Sequence, residues 1–201
     1  MFSIPTYTPR SCATGIFTTK KAINKKGRVN RLDTIYFEKK IVKSNVTWKP
    51  LTLAVLIING RPLAEIAEHY EREAARNSKR KYYRFGYMYR LANGLYRELT
   101  GDLEFPHRNN AVLMVCDGCE EAGCRPFAVT IKETETEVIW SNFHNWHMSE
   151  PNDDGIFWDY SVFPIFRFEK TQYMAALAQL KIIADEIKIT TPKPHIKRTK
   201  M

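Results

Sequence analysis

Apolar positions along the chain change period several times, and each change marks an element. The first sustained run, 51–58, is apolar except for Thr52 and ends on Asn59-Gly60. Its length fits a buried strand closed by a turn. Pro62 follows at a position tolerated in a first helical turn, and Leu63, Ile66, Ala67, Tyr70 and Ala74 recur at helical spacing. Glu65, Glu68 and Glu71 occupy the other faces, while Arg72 and Arg76 sit towards the end, where the helix dipole favours cations. The spacing therefore predicts an amphipathic helix from residue 63.

Beyond residue 110 the period shortens. Segments 111–115, 127–131 and 137–141 have strand length and β-branched content, which predicts a small antiparallel meander. A further strand is expected over 160–168, with Pro164 at a sheet edge. Tyr173, Leu177, Leu180, Ala184 and Ile187 then form one stripe over 171–187, the pattern of a helix packed on a sheet. Residues 79–97 mix bases and aromatics and read as a second helix broken near Gly86 and Gly94. The expected fold class is α+β: an antiparallel sheet, two or three packed helices and a zinc-binding turn between strands.

The ends lack such periodicity. Residues 1–45 are rich in Thr, Lys and Asn and read as a basic extension with one strand over 34–42; residues 189–201 read as a disordered basic tail. That leaves 46–188 as a single α+β domain. No apolar run approaches the roughly 20 residues of a membrane-spanning helix, and residues 1–13 contain Pro5, Pro9 and Arg10 in place of a signal-like apolar stretch. The cytoplasm is the expected compartment, with no membrane partner.

Charge alters this picture through its distribution. Residues 1–100 carry 20 Lys and Arg against 7 Asp and Glu, whereas residues 101–160 carry 3 against 12. A basic first half adjoins an acidic region, and that acidic region contains the candidate chemistry.

Cys116, Cys119 and Cys124 are spaced C-x-x-C-x-x-x-x-C on a turn between two expected strands. Thiols so close in sequence suit metal ligation better than disulfides between distant loops. Gly118 and Gly123 are expected to supply the positive φ that a tight reversal demands. Structural zinc takes four ligands. A hairpin turning near Thr134 pairs residues whose numbers sum to about 268 or 269 and places residue 124 opposite 144 or 145. His144 and His147 then become candidate fourth ligands, with His107 on the other side.

Two other readings of the cysteines stand beside zinc: reduced, unliganded thiols, and a redox pair from Cys116 and Cys119. The redox reading lacks the helix start that usually activates such a pair. Asp117, Glu120 and Glu121 are expected to raise the thiol pKa values. A closed four-ligand site offers no position for a catalytic water; with three protein ligands, Glu120, Glu121 or Asp154 become candidate general bases.

Four ordered motifs within 57–180 resemble an uncharacterised family of bacterial proteins. They are Ile58-Asn59-Gly60 with Leu63 and Glu65; Cys119 to Cys124 followed by Pro126; Trp140-Ser141-Asn142-Phe143 with His147; and Trp158-Asp159-Tyr160 leading to Phe166, Phe168 and Gln172-Tyr173. The family's cysteine turn runs C-x-C-G-x-x-G-C-W-P. This chain has one more residue between its first two cysteines, and Glu120 and Arg125 where Gly and Trp are usual. The resemblance implies Cys119, Cys124 and His147 as ligands more firmly than Cys116, and it implies no activity.

Residues 72–97 interleave Arg72, Arg76, Lys79, Arg80, Lys81, Arg84, Arg90 and Arg97 with Tyr82, Tyr83, Phe85, Tyr87, Tyr89 and Tyr96, a composition able to contact phosphates and stack on bases. Trp140, Trp146, Phe157, Trp158 and Tyr160 flank a polar loop that carries Asp153 and Asp154. These aromatics either cover the sheet or form an acidic, aromatic surface for a basic protein partner. No phosphate loop, zincin or serine-hydrolase motif is present. The expectation is a non-enzymatic protein-binding module of immunity or anti-toxin type with a structural zinc. The alternatives are a nucleic-acid-associated protein using 72–97 and a zinc-dependent hydrolase.

Overall fold

The apolar run at 51–58 forms a strand buried from residue 53 to residue 58. In this computed structural model the described residues are 22–23, 29–30, 32–77, 86–101, 110–121, 123–146 and 159–190, with side chains described from 32 to 186 within those spans. The chain divides into two units, 1–31 and 32–201. In the first, β1 (Ala22–Ile23) and β2 (Val29–Asn30) pair antiparallel.

Among its described residues the second unit holds two antiparallel sheets and three α-helices, an α+β fold. One sheet is ordered β3-β4-β5, from β3 (Ile35–Lys43), β4 (Pro50–Ile58) and β5 (Arg61–Pro62). All of residues 53–58 are buried, because β4 is covered on both faces. Asn59 (φ +52°) and Gly60 (φ +76°) make the two-residue reversal into β5. Two consecutive positive φ values are what an Asn-Gly hairpin turn supplies at little cost. The strand expected over 34–42 is β3, paired with β4 through all nine residues and burying Ile35 and Phe37. The domain therefore begins at Leu32, and the boundary expected at residue 45 is corrected.

The other sheet is a meander in the order β10-β9-β8-β7-β6, built from β6 (Tyr87–Tyr89), β7 (Ala111–Cys116), β8 (Phe127–Glu133), β9 (Glu137–Asn145) and β10 (Phe166–Glu169). Two isolated bridges join the sheets, Asp33↔Phe168 and Leu53↔Leu91. Asp33 reinforces the first: its N–H donates to the Arg167 carbonyl and its carboxylate accepts from the Arg167 N–H, both at 2.7 Å.

The helices are α1 (Leu63–Asn77), α2 (Ala92–Leu99) and α3 (Lys170–Thr190). The expected stripe of α3 is buried at Tyr173, Leu177, Leu180 and Ala184. Its glutamines also serve β3: Gln172 donates to the Ile35 carbonyl, and Gln179 accepts from the Phe37 N–H at 3.5 Å. On α1 the deepest positions are Leu63, Ala67, Glu71 and Ala75, with Ile66, Tyr70 and Ala74 half-buried beside them. Glu71, expected on a solvent face, lies inside. Residues 79–97 are not one broken helix, since β6 and α2 occupy their described part. The strand expected over 160–168 is instead a 3-10 turn, Tyr160–Val162, followed by β10. The Asp159 side chain accepts from the Ser161 N–H at 2.9 Å and starts that turn.

Aromatic rings fill the space between α1 and the meander. Phe127 lies 5.4 Å from Tyr87, 5.5 Å from Phe163, 5.6 Å from Phe143 and 5.7 Å from Tyr160, centroid to centroid. Such tilted and edge-on pairs each add about 0.5–1.5 kcal/mol to the burial itself. Tyr87 and Tyr160 both donate to Glu71 Oε1 at 2.6 Å, and Asn145 Nδ2 reaches the Tyr87 hydroxyl at 3.3 Å. A second buried acid, Glu98, accepts from Arg90 at 3.1 Å and from the Val112 N–H at 3.0 Å, where β7 shifts register against β8. Both glutamates are thus satisfied, as buried carboxylates must be.

Candidate metal centre

β7 ends at Cys116 and the chain folds back on itself before β8. Across the base of the loop the Cys116 N–H donates to the Cys124 carbonyl at 3.1 Å. Inside it, the Glu120 N–H donates to the Cys116 carbonyl and the Cys124 N–H to the Glu121 carbonyl, each at 3.1 Å. These bonds place Cys116, Cys119 and Cys124 with their Sγ atoms all within 4.8 Å of one another, half-buried and not disulfide-bonded. Thiolates sharing one zinc ion at about 2.3 Å lie roughly 3.8 Å apart in tetrahedral geometry, a separation that falls inside that limit. This group of three is a set that can hold a metal ion, and its all-sulfur chemistry favours a soft or borderline one.

Among the described residues of the turn, the left-handed positions are Glu120 (φ +61°) and Arg125 (φ +55°). The expectation that Gly118 and Gly123 would take them is corrected: neither has a positive φ, and a Cβ on Gly118 would meet Cys116 Sγ at an ordinary 3.6 Å. Among the described glycines, Gly86 has the tightest surroundings. A Cβ there would fall 1.7 Å from the Asp117 carboxylate, which lies against its α-carbon, and the Asp117 N–H donates to the Gly86 carbonyl at 3.3 Å.

The β3–β4 hairpin supports the turn from outside. Glu120 accepts from Ser44 Oγ at 2.8 Å and from the Asn45 N–H at 2.7 Å, while Asn45 Nδ2 donates to the Asp117 carbonyl at 2.8 Å. Both oxygens of Glu120 are engaged by the hairpin, so this residue is a brace, and the general-base role considered for it has no support in the geometry. Ser44 is buried. Neither Ser44 nor Asn45 carries a sequence signal for this role, because their partners lie more than 70 residues away.

The uniform rise in thiol pKa expected from the surrounding acids is not what the cluster produces. For Cys116, burial opposes ionisation but is outweighed by the N–H groups of Cys119 and Gly118 and by the two neighbouring thiols, so its pKa is lowered. For Cys124, the hydrogen bond to Cys119, then burial and the adjacent sulfurs, push the pKa up to about 12. One thiolate is thus favoured within the trio at the expense of another, and a cation at the centre relieves that competition.

The histidine expectations fare unequally. Pairs along β8 and β9 sum to 271 or 272, including Ala128↔His144 and Ile131↔Trp140, with a register shift between 128 and 130. The expected sums of 268 or 269 are corrected, because the turn centres on Glu135 and Thr136 and the bulge adds one residue. His144 therefore faces Ala128 and not Cys124. Its Nδ1 lies 2.8 Å from the Asn142 carbonyl and its Nε2 3.5 Å from Asn110 Nδ2, apart from the sulfurs. His147, His107 and Asp154 lie outside the described residues.

The aromatic and basic candidates divide in the same way. Trp140 and Tyr160 are core residues, and Trp146 packs with Met88 against Val112, Val115 and Ala128; Phe157, Trp158 and Asp153 lie outside the described residues. In 72–97, Tyr89 is buried, Tyr87 is bonded to Glu71, and Arg72, Arg76 and Arg90 form ion pairs with Glu68, Glu73 and Glu98. Lys79, Arg80, Lys81, Tyr82, Tyr83, Arg84 and Phe85 lie outside the described residues. Among the described residues, no helix is long and apolar enough to cross a membrane. Comparison with protein-family models, with curated proteins and with solved structures finds no match.

Proposed function

We propose that the protein is a non-enzymatic, cytoplasmic protein-binding module of immunity or anti-toxin type, stapled by a structural zinc ion at Cys116, Cys119 and Cys124 with His147 as fourth ligand. The observation that carries the metal assignment is the convergence of three half-buried, reduced thiols on a turn closed by its own backbone hydrogen bonds. Zinc suits a thiolate-rich set better than magnesium or calcium, and a closed site contributes folding energy without chemistry. His147 is preferred to His144 because His144 is held elsewhere on β9.

Membership of the uncharacterised bacterial family belongs to the same reading. Glu120 adopts φ +61° where glycine is usual in that family, a backbone glycine takes freely. The hydrolase reading is weakened by Glu120, whose oxygens are bonded to Ser44 and Asn45. The nucleic-acid reading is weakened by the burial of Tyr89 and the internal pairing of Arg72, Arg76 and Arg90.

Metal analysis of the purified protein tests the centre, with one zinc per chain expected. The cobalt-substituted protein should give the strong visible bands of tetrahedral thiolate coordination. His147→Ala should weaken cobalt binding, and His144→Ala should leave it unchanged. Absence of metal, or spectra of an open site that binds added azide, would overturn the structural assignment.

A further inference from the structure

Resting on the binding-module reading, we propose that the tip of the β3–β4 hairpin is the docking knob of the protein, and that its partner is a protein presenting an apolar pocket rimmed by carboxylates.

Trp48 is 69% exposed, Val46 54% and Ile41 66%, on the distal part of a hairpin whose proximal part builds the core. Trp48 also has φ +60°, a conformation that costs a bulky residue about 1–3 kcal/mol. Burial does not repay that cost, since most of the side chain stays in water.

The conformation is nevertheless locked. The Ser44 N–H donates to the Lys49 carbonyl at 2.8 Å and the Trp48 N–H to the Ser44 carbonyl at 3.1 Å. Ser44 Oγ accepts from the N–H groups of Val46 and Thr47 at 3.1 and 2.8 Å while donating to Glu120. The tip is thus clamped onto the cysteine turn before any partner arrives. Fixing the backbone that carries an exposed indole lowers the ordering cost of binding only where the partner is itself shaped.

Charge and chemistry select the occupant. Lys43 Nζ lies 4.6 Å from the Trp48 ring centroid, and Lys40 and Lys49 are exposed on the same hairpin. None of the three forms an ion pair among the described residues, whereas Lys39 is bound to Glu186. On the adjoining turn Glu120 is consumed by the hairpin and Asp117 lies against Gly86, while Glu121 stays in solvent. A tryptophan anchor with Lys43 over its ring and exposed Lys49 next to it in the chain fits an apolar pocket with an acidic rim. A single-stranded nucleic acid would use a second aromatic platform, and the other large apolar side chains exposed on the distal hairpin are aliphatic, Val46 and Ile41. A lipid interface would not require one fixed backbone conformation.

The test places a photo-crosslinking benzoylphenylalanine at Val46 of the full-length chain in its native cell, with a second variant carrying it at exposed Met174 on α3. Support requires a discrete protein adduct from position 46 whose purified captured partner binds the unmodified chain. That binding must weaken at least tenfold with Trp48→Ala, about tenfold with Lys43→Glu plus Lys49→Glu, and comparably when carboxylates at the crosslinked site of the partner are neutralised. Each variant is first shown to keep the wild-type melting temperature and metal content. Adducts to lipid or nucleic acid at position 46, or binding indifferent to Trp48, overturn the proposal. Protein adducts at Met174 alone overturn this surface but leave the binding-module reading standing, and no protein adduct from either position counts against both.

Discussion

The cysteine turn and the aromatic cluster under α1 are organised by opposite means. Around Phe127, rings and aliphatic side chains exclude water, and the polar atoms present are tied to one buried acid, Glu71. No described residue from 116 to 125 is fully buried; the turn keeps its shape through backbone hydrogen bonds, the Glu120 brace and the approach of three sulfurs. The first region gains stability from area removed from water, the second from directional contacts and, on our proposal, from a metal. A perturbation that damages one region should therefore leave the signature of the other intact.

Phe127→Ala should have the largest effect. Removing a fully buried ring that touches four others costs about 3–5 kcal/mol. Urea denaturation should show that loss while the purified variant retains its metal. Cys124→Ser should do the reverse, abolishing metal binding and removing the stability that metal confers. At free metal one hundred times its Kd, that stability is about 2.7 kcal/mol, read as the difference in denaturation midpoint with and without chelator. A chelator that does not affect the wild-type midpoint would end the structural-metal assignment.

Smaller changes sharpen the contrast inside the turn. Gly86→Ala puts a methyl group where the Asp117 carboxylate lies, so that carboxylate must turn away; the cost should stay within about 1 kcal/mol, with faster amide exchange over 116–120. Gly118→Ala meets only an ordinary contact and should stay within about 0.5 kcal/mol of wild type. Equal effects of the two would show that the loop is not packed as described.

The smallest predicted effect is a pH slope. Burial, only partly offset by the hydroxyls of Tyr160 and Tyr87 and by nearby Arg125, raises the Glu71 pKa above its ordinary 4.5. The native state then holds a proton that the unfolded chain has released, so this contribution is complete below pH 4.5 and is lost as pH rises through the native value. Thermal melts of wild type and Glu71→Gln between pH 4 and 7 should converge at the acid end and separate as pH rises, wild type losing more. Parallel curves would mean that Glu71 is already ionised in the fold.

Periodicity made the apolar skeleton legible. The buried strand at 51–58, the stripe of α3 and the three central strands of the meander all follow from which positions had to leave water. What escaped was set by polar atoms acting over long sequence separations or against local preference. Tyr160 to Val162 carries strand-like residues, yet the Asp159 cap curls it into a 3-10 turn. The β8–β9 reversal uses Glu135 and Thr136, neither of which signals a turn, and Thr134 closes it by bonding to Glu137 with N–H and hydroxyl alike. That, with the bulge, moved His144 away from the sulfurs. Glu71 was assigned to solvent because a carboxylate usually is, and nothing local announces two tyrosines arriving from 16 and 89 residues away. The cysteine trio was readable because its members are close in sequence; its brace was not.

The glutamines of α3 have a consequence for how the chain meets other chains. By engaging the Ile35 carbonyl and the Phe37 N–H, Gln172 and Gln179 occupy hydrogen-bonding groups along the outer rim of β3. Asp33 fills the step before them, and beyond them the rim carries Lys39, Lys40 and Lys43. A foreign strand seeking to extend this sheet finds its first rungs taken and the later ones guarded by like charges that a growing stack would have to bring together. This rim thus disfavours strand addition, and steers association there towards side chains held out at a fixed point.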